Sequence, residues 1–379
     1  MIIGAYFPHH SSSSVISIHD PLAIEVLRKR LRIDPHRLKR LRSAFYRRQL
    51  SSAQALDELP PESRDAFARE VSFHPLKLVE RHDSKLDGAS KLIFRTDTGQ
   101  LIEAVILRIA TGRTTLCISS QAGCAADCAF CATGKMGLGR NLTAAEICDQ
   151  VIQANQILHE EDRRIRNIVF MGMGEPLHNE DNVFAAIDLL IAPDGFAFDE
   201  QRLLLSTVGV PDAFLRCAKR FPRLGLALSL HSAREKERLK IVPLTHRHSL
   251  SQLRTTLDKI TRDGRQVMIG YTLLAGLNDT EADVIALRDY LKGLPVHLNM
   301  IPYNPIDAAP ELRGTLKPQR EAFARALKEA GFKVTLRYSL GSDIAAACGQ
   351  LVKERRKTGG VTRRPAGSRP GPADWLRHD

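Results

Sequence analysis

Four of the seven cysteines in this chain fall within residues 117–131, CISSQAGCAADCAFC. Cys124, Cys128 and Cys131 follow a C-x3-C-x2-C spacing, so three thiolates from one loop can converge on a single inorganic centre. Two centres fit that donor set. A structural zinc wants a fourth ligand, which Cys117 or a distant His supplies. A 4Fe-4S cluster held by three protein thiolates instead leaves one iron open to substrate or cofactor, which is catalytic in character. Cys148 and Cys217 lie on helical segments away from this cluster and read as packing residues.

The elements that must position these thiols show in the hydrophobic pattern. From residue 113, short apolar runs (TTLCIS, NIVFMG, LLLST, LGLALSL, QVMIGYTLL, VHLNMI, KVTLRY) alternate with amphipathic stretches predicted as helices over 143–158, 182–191, 211–220, 250–262, 281–292 and 318–330. Repeated strand–helix alternation calls for a parallel sheet, and six or more units without a GxGxxG favour a full or partial barrel. Such a barrel works at the C-terminal ends of its strands. The distinctive polar residues gather there: the cysteine loop, MGMGEP with Gly174 and Glu175, Ser206 and Thr207, Ser229 with His231, and IPYNP with Asn304. The expected fold is therefore α/β, a partial (β/α)6-type TIM-like barrel with a small, basic, mainly helical N-terminal domain. The expected division is 1–85 for the basic helical domain, 86–112 for a β-hairpin extension, 113–345 for the barrel, and 346–379 for a C-terminal cysteine loop with a basic tail.

Composition narrows the class further. The chain has 379 residues, a formal charge of +12 and 43% hydrophobic residues, which suits a globular protein with a polyanionic partner. Between Arg28 and Arg48 stand ten Lys or Arg against the single acid Asp34, with Leu27, Leu31, Leu38, Leu41 and Phe45 at roughly helical intervals. That is a basic amphipathic unit, either an RNA-binding face or a solvated one. The stretch Lys353–Asp379, with its Pro and Gly, reads as a mobile basic extension, and nothing is inferred from Trp375 or from His9 and His10 near the start. No apolar run reaches bilayer-spanning length, so no membrane partner is expected. An odd number of irregularly spaced cysteines fits a reducing compartment, and the expected location is cytoplasmic.

The three-cysteine loop, with Phe130 before its last cysteine and MGMGEP after the next strand, resembles the radical S-adenosylmethionine superfamily. That resemblance implies a 4Fe-4S cluster on Cys124, Cys128 and Cys131 whose open iron chelates S-adenosyl-L-methionine. It also implies that Gly174 and Glu175 lie against the cofactor's amine.

A narrower resemblance runs over residues 90–352. The opening stretch with MGMGEPL, STVG, LSLHS, IPYNP and GSDIAAACGQL is similar to the RlmN/Cfr family of adenine RNA methyltransferases. It implies that Cys348 takes a methyl group from one S-adenosylmethionine by displacement, and that a second, cleaved at the cluster, activates that methyl for addition to an electron-poor carbon of adenine. Cys117 then removes the ring proton and closes a transient disulfide with Cys348. Glu103 matches a proton acceptor, and Gly174, Glu175, Ser206, Ser229, Leu230, His231 and Asn304 match cofactor-contacting positions. The implied partners are RNA (23S rRNA and/or tRNA) and an electron-donor protein such as flavodoxin or ferredoxin, acting on a monomer. The ring position stays open: carbon 2 is the leading expectation, with carbon 8, the Cfr type that confers ribosomal antibiotic resistance, as the alternative. A zinc-stabilised, non-catalytic RNA-binding protein is the rival from another class, and a radical enzyme acting on a protein or small molecule is a third reading.

Overall fold

The structure, a computed structural model, describes residues 15–109 and 112–351. The expectations for the two His near the start and for the basic tail with Trp375 lie outside the described residues.

All seven apolar runs form strands: Thr114–Cys117, Asn167–Phe170, Leu203–Thr207, Gly225–Ser229, Val267–Leu273, Val296–Pro302 and Lys333–Leu336. They pair in sequence order, each parallel to the next. Six helix-containing crossovers thus join seven parallel strands, and the barrel stays open because the first strand hydrogen-bonds on its other side to an antiparallel extension. The predicted helices fall at Ala144–His159, Glu180–Ile191, Pro211–Arg220, Leu250–Thr261, Glu281–Leu291 and Lys317–Glu329. Local chemistry sets where several of them begin. Thr143 and Ser249 form capping boxes with Glu146 and Gln252, and Pro211 occupies a first-turn position where its missing N–H costs nothing.

The antiparallel extension has three strands rather than the two of a hairpin. Ala89–Arg95 and Leu101–Arg108 pair through the turn at Asp97–Gly99, and Lys77–Asp83 adds an outer edge. That third strand, KLVERHD, is partly or fully exposed along its length, and its charges hide an alternating pattern. A further pair, Gln121–Gly123 with Leu138–Asn141, clamps the two ends of the cysteine loop.

The N-terminal region folds as four helices, Pro21–Arg30, Pro35–Tyr46, Ser52–Leu56 and Pro61–Glu70. Leu27, Leu38, Leu41 and Phe45 are buried in a core that continues without a break into the barrel. The basic face is less free than its sequence suggests. Arg28 and Lys29 pair with Glu25 of the same helix, while Arg30 pairs with Glu70, Arg40 and Arg48 with Glu58, and Arg42 with Asp194, so local and distant acids together offset part of it.

Asp149 fastens this region to the barrel. Fully buried on the helix Ala144–His159, it takes hydrogen bonds from the Leu76 amide at 3.0 Å and Gln153 at 2.9 Å, and pairs with His74 Nδ1 at 2.7 Å. Burial pushes its carboxyl above the usual range despite these donors. Asp149→Ala leaves three donors unmet in a dry interface and is expected to cost about 2–4 kcal/mol, readable as a lower denaturation midpoint with an unchanged urea slope.

Candidate active site

The barrel strands end on one rim, and the expected residues collect there. The first strand ends at Cys117, which pairs with Val105 of the extension and Val169 of the second strand. Glu103 lies two residues from Val105 on the same strand, so the period of two puts Glu103 and Cys117 on one face of the sheet. Glu103 is 1% exposed, not the surface carboxylate that a half-exposed strand would give, and Lys91 Nζ stands 3.8 Å from its Oε1.

After the first strand the chain enters the cysteine loop. Cys124 and Cys128 are buried and Cys131 half-buried, packed with Ile241, Val242, Leu274 and Tyr303. Desolvation pushes the Cys124 thiol up to about 12 and Cys128 well above its ordinary value, and each thiol raises the cost of ionising its neighbours. Cys131 is also raised by burial, opposed by the Gly134 and Thr133 amides that face its sulfur. Among the described residues no three His, Cys, Asp or Glu side chains close to single-ion spacing. Three mutually interacting thiols from one loop suit a cluster whose irons each take one thiolate, whereas a tetrahedral zinc would want a fourth ligand besides them. Binding there exchanges three thiol protons for metal and relieves the desolvation of bare thiolates.

Gly174 shows why the next strand end is glycine-rich. Its φ is +100°, and a Cβ there would lie 2.6 Å from the Gln121 side chain. Glu175 follows, buried, and its amide donates to Gln121 Oε1 at 2.8 Å. Its carboxylate accepts from the Leu177 amide at 3.1 Å and the Val208 amide at 2.8 Å, tying the second strand end to the third. Burial raises its pKa, so its proton affinity is higher than that of an exposed carboxylate.

Ser206 and Ser229, at the ends of the third and fourth strands, share a 3.1 Å hydrogen bond. Leu230 is fully buried and offers only backbone: its amide donates to Gly270 and its carbonyl accepts from Arg238 Nε. His231 adopts a left-handed φ of +58°, its ring edge-on to Phe130 of the cysteine loop at 4.5 Å between centroids. Its Nδ1 accepts from the Thr272 amide at 3.0 Å, so the neutral ring carries its proton on Nε2. Desolvation, then the nearby Arg238, lowers its pKa to about 3, which keeps the imidazole uncharged. Asn304 spends both ends of its amide within the protein, donating to the Cys348 carbonyl at 3.0 Å and accepting from Ser339 Oγ at 2.6 Å.

Cys348 lies on a loop drawn onto this rim from three sides. Asp343 accepts from Ser84 Oγ and the Lys85 amide, Asp87 accepts from the Gly341 amide, and Lys91 donates to the Ala345 carbonyl at 3.3 Å. The cysteine loop contributes the Ala132 amide to the Gly349 carbonyl at 2.7 Å and Thr133 Oγ1 to the Leu351 carbonyl at 2.6 Å. Gly349 has φ +85°, and a Cβ there would meet the Phe130 carbonyl at 3.0 Å, so glycine lets the two loops approach. Cys348 presents exposed surface, yet the protein around it is dense enough that desolvation pushes its thiol up to about 11. Exposure bears more directly on access by a substrate, and Arg337 opposes the shift. Cys117, half-buried, is pushed up to about 12 by burial and then by the charge of Cys348. The two thiols outside the cysteine loop are therefore within electrostatic reach of each other, and Cys348 is within reach of Cys131. Cys148 and Cys217 are fully buried in the helical layer, as packing residues.

The radical SAM superfamily matches residues 118–290. A probable RNA methyltransferase of Rhodopirellula baltica is 53% identical over 88% of this chain and 87% of its own length. A probable dual-specificity RNA methyltransferase RlmN of Thermus thermophilus is 39% identical over 86% of this chain and 92% of its own. The chain belongs to the RlmN-type family of radical SAM RNA methyltransferases. The crystal structure of a radical SAM methyltransferase from Sphaerobacter thermophilus superposes with a TM-score of 0.84 at 36% identity, covering 88% of this chain and 98% of that one. As a member of the family the protein is an enzyme with a 4Fe-4S cluster and S-adenosylmethionine as its cofactors, and Cys124, Cys128 and Cys131 provide a donor set that fits the cluster. No helix among the described residues is long and apolar enough to cross a membrane.

Proposed function

We propose that this enzyme methylates a ring carbon of adenosine, carbon 2, in large ribosomal RNA and/or tRNA, with the methyl carried on Cys348 and the product released by Cys117. The observation that supports this most is that the loop carrying Cys348 is hydrogen-bonded to the cysteine loop, which itself begins at the strand ending in Cys117, although the two thiols are far apart in sequence. A structural zinc protein needs neither. The printed names of relatives in Thermus and in Myxococcus xanthus, dual-specificity RNA methyltransferase, agree with more than one RNA substrate.

When bound, the cluster and S-adenosylmethionine supply a methyl group and a hydrogen-abstracting radical. This chain's residues do the rest. Gly174, Glu175, Ser206, Ser229, the Leu230 backbone and His231 line the rim and orient the cofactor; Asn304 contributes by fixing the Cys348 loop. Cys348 acts as a thiolate nucleophile; desolvation works against its ionisation, and Arg337 favours it. Cys117 takes the ring proton and, after giving it up, attacks the Cys348 sulfur as a thiolate; the disulfide forms as the bond from that sulfur to the transferred carbon breaks, and the electron pair leaves with the methylated base, which is protonated. Glu103 is the buried proton acceptor on the same face as Cys117, with Lys91 beside it. The disulfide has to be reduced before another turnover, which a cytoplasmic setting provides. An electron-donor protein of the flavodoxin or ferredoxin class serves the cluster, and the enzyme acts as a monomer.

The test is mass spectrometry of nucleosides from ribosomal RNA and tRNA incubated with protein, S-adenosylmethionine and a strong reductant. A 2-methyladenosine product in either RNA is the expected result. A carbon-8 product would correct the ring position, and no methylated adenosine in either RNA would refute the reading.

A further inference from the structure

Arg238 is a buried cation with no acid of its own. It is 1% exposed and heads the largest fully buried side chains of the protein. Its guanidinium donates to the Leu230 carbonyl at 3.0 Å, Thr245 Oγ1 at 2.7 Å and the Val208 carbonyl at 2.5 Å, all neutral acceptors. Two neighbouring cations do pair: Arg234, the N-cap of its helix Glu235–Ile241, with Glu237 and Asp283, and Lys240 of the same helix with Glu237. Among the described residues no carboxylate forms an ion pair with Arg238 within 4.0 Å. Glu235, which acts on it from farther away, is engaged by the Leu250 amide. Burying an uncompensated charge is unfavourable, and a guanidinium cannot escape by losing its proton.

The helix that carries Arg238 leads directly to the cysteine loop. Three residues on, the Ile241 carbonyl accepts from the Ala129 amide at 2.9 Å, and Ile241 and Val242 pack against Cys124 and Cys128. The guanidinium also acts electrostatically on Cys128. A four-iron cube on three thiolates carries net negative charge, and this charge grows by one when the cluster accepts an electron. A fixed cation behind the Cys128 side of the loop opposes that growth, in a region where water does not screen it.

We propose that Arg238 is the built-in counter-charge of the cluster, a positioning and tuning residue that stabilises its reduced form and so raises its reduction potential. The redox step is the uptake of one electron from an external low-potential donor, with no bond broken and no proton moved. In the protein without its cluster the charge is uncompensated; loading supplies the missing anion. The inference depends on the cluster alone, not on which RNA is methylated.

The test is a redox titration, followed by electron paramagnetic resonance, of anaerobically purified, cluster-loaded protein carrying Arg238→Gln, Arg238→Met or Arg238→Lys. Iron and sulfide content are measured in parallel, so a failed cluster assignment is seen apart from a failed role for Arg238. The neutral variants are expected to show about a tenfold lower ratio of reduced to oxidised cluster at the wild-type midpoint, which is a shift of ~59 mV to lower potential for one electron. Arg238→Lys should return most of the way to wild type. A neutral variant that assembles the cluster at the wild-type potential overturns the proposal, as does Arg238→Lys falling as low as Arg238→Gln. Neutral variants that fold by circular dichroism yet hold no cluster, while Arg238→Lys holds one, support it. If no neutral variant folds but Arg238→Lys does, the charge serves the fold and the inference fails.

Discussion

Cys348→Ala is expected to lose RNA methylation by ~10⁴-fold or more, the scale of removing a covalent nucleophile, while the protein keeps its iron and sulfide. The loop should survive the substitution. Its anchors are the Cys348, Gly349 and Leu351 carbonyls and the side chains of Asp343 and Lys91, none of which alanine removes. Cys348 is exposed, so losing its sulfur leaves no core cavity. Loss of activity would therefore report chemistry and not unfolding. The measurement follows labelled methyl into RNA alongside release of deoxyadenosine from the cofactor. Wild-type methylation in this variant would refute the thiol carrier; loss of both methylation and cofactor cleavage would show that Cys348 is needed earlier than proposed.

The sequence makes the barrel and its rim legible because both depend on local patterns. Buried parallel strands read as continuous apolar runs, and capping residues such as Thr143 and Ser249 mark helix starts within one or two residues. The cysteine loop is legible because its three ligands are close in sequence. What escapes is set by contacts between distant segments. Glu103 sits between Ile102 and Ala104 on a strand that sequence alone leaves half-exposed, and only the pairing of that strand on both sides, with Lys91 of the neighbouring strand close by, shows it to be buried. Asn304 has the residue type of a cofactor ligand, and it also braces Ser339 against the Cys348 carbonyl, a contact that depends on how the chain returns over the barrel. Arg238 lies in EKERLKI, whose charges read as a solvated helix, and nothing in that string signals a buried guanidinium. The basic N-terminal helices err the other way. Their charge looks unopposed in sequence because Glu58, Glu70 and Asp194 arrive from later segments.

Cys117→Ala has the second large expected effect, and its sign differs: a product accumulates instead of vanishing. If Cys117 takes the ring proton and then attacks the Cys348 sulfur, its removal stops the reaction after the carbon–carbon bond has formed. RNA should then remain joined to the protein through Cys348. Cys117 ends a strand held by backbone pairing to Val105 and Val169, so alanine keeps the sheet and the placement of Cys348. On a denaturing gel, incubation with RNA, S-adenosylmethionine and reductant should move most of the loaded protein to a slower band that nuclease digestion collapses. The double variant Cys117→Ala with Cys348→Ala separates this from non-specific crosslinking, because it lacks the sulfur that carries the RNA. Only free RNA from the single variant, despite measured cofactor cleavage, would count against Cys117 as the resolving residue. A band of equal strength in the double variant would show that the adduct forms elsewhere. The hydrogen bonds that fasten the Cys348 loop to the cysteine loop are untouched by the substitution, so the first outcome is the expected one.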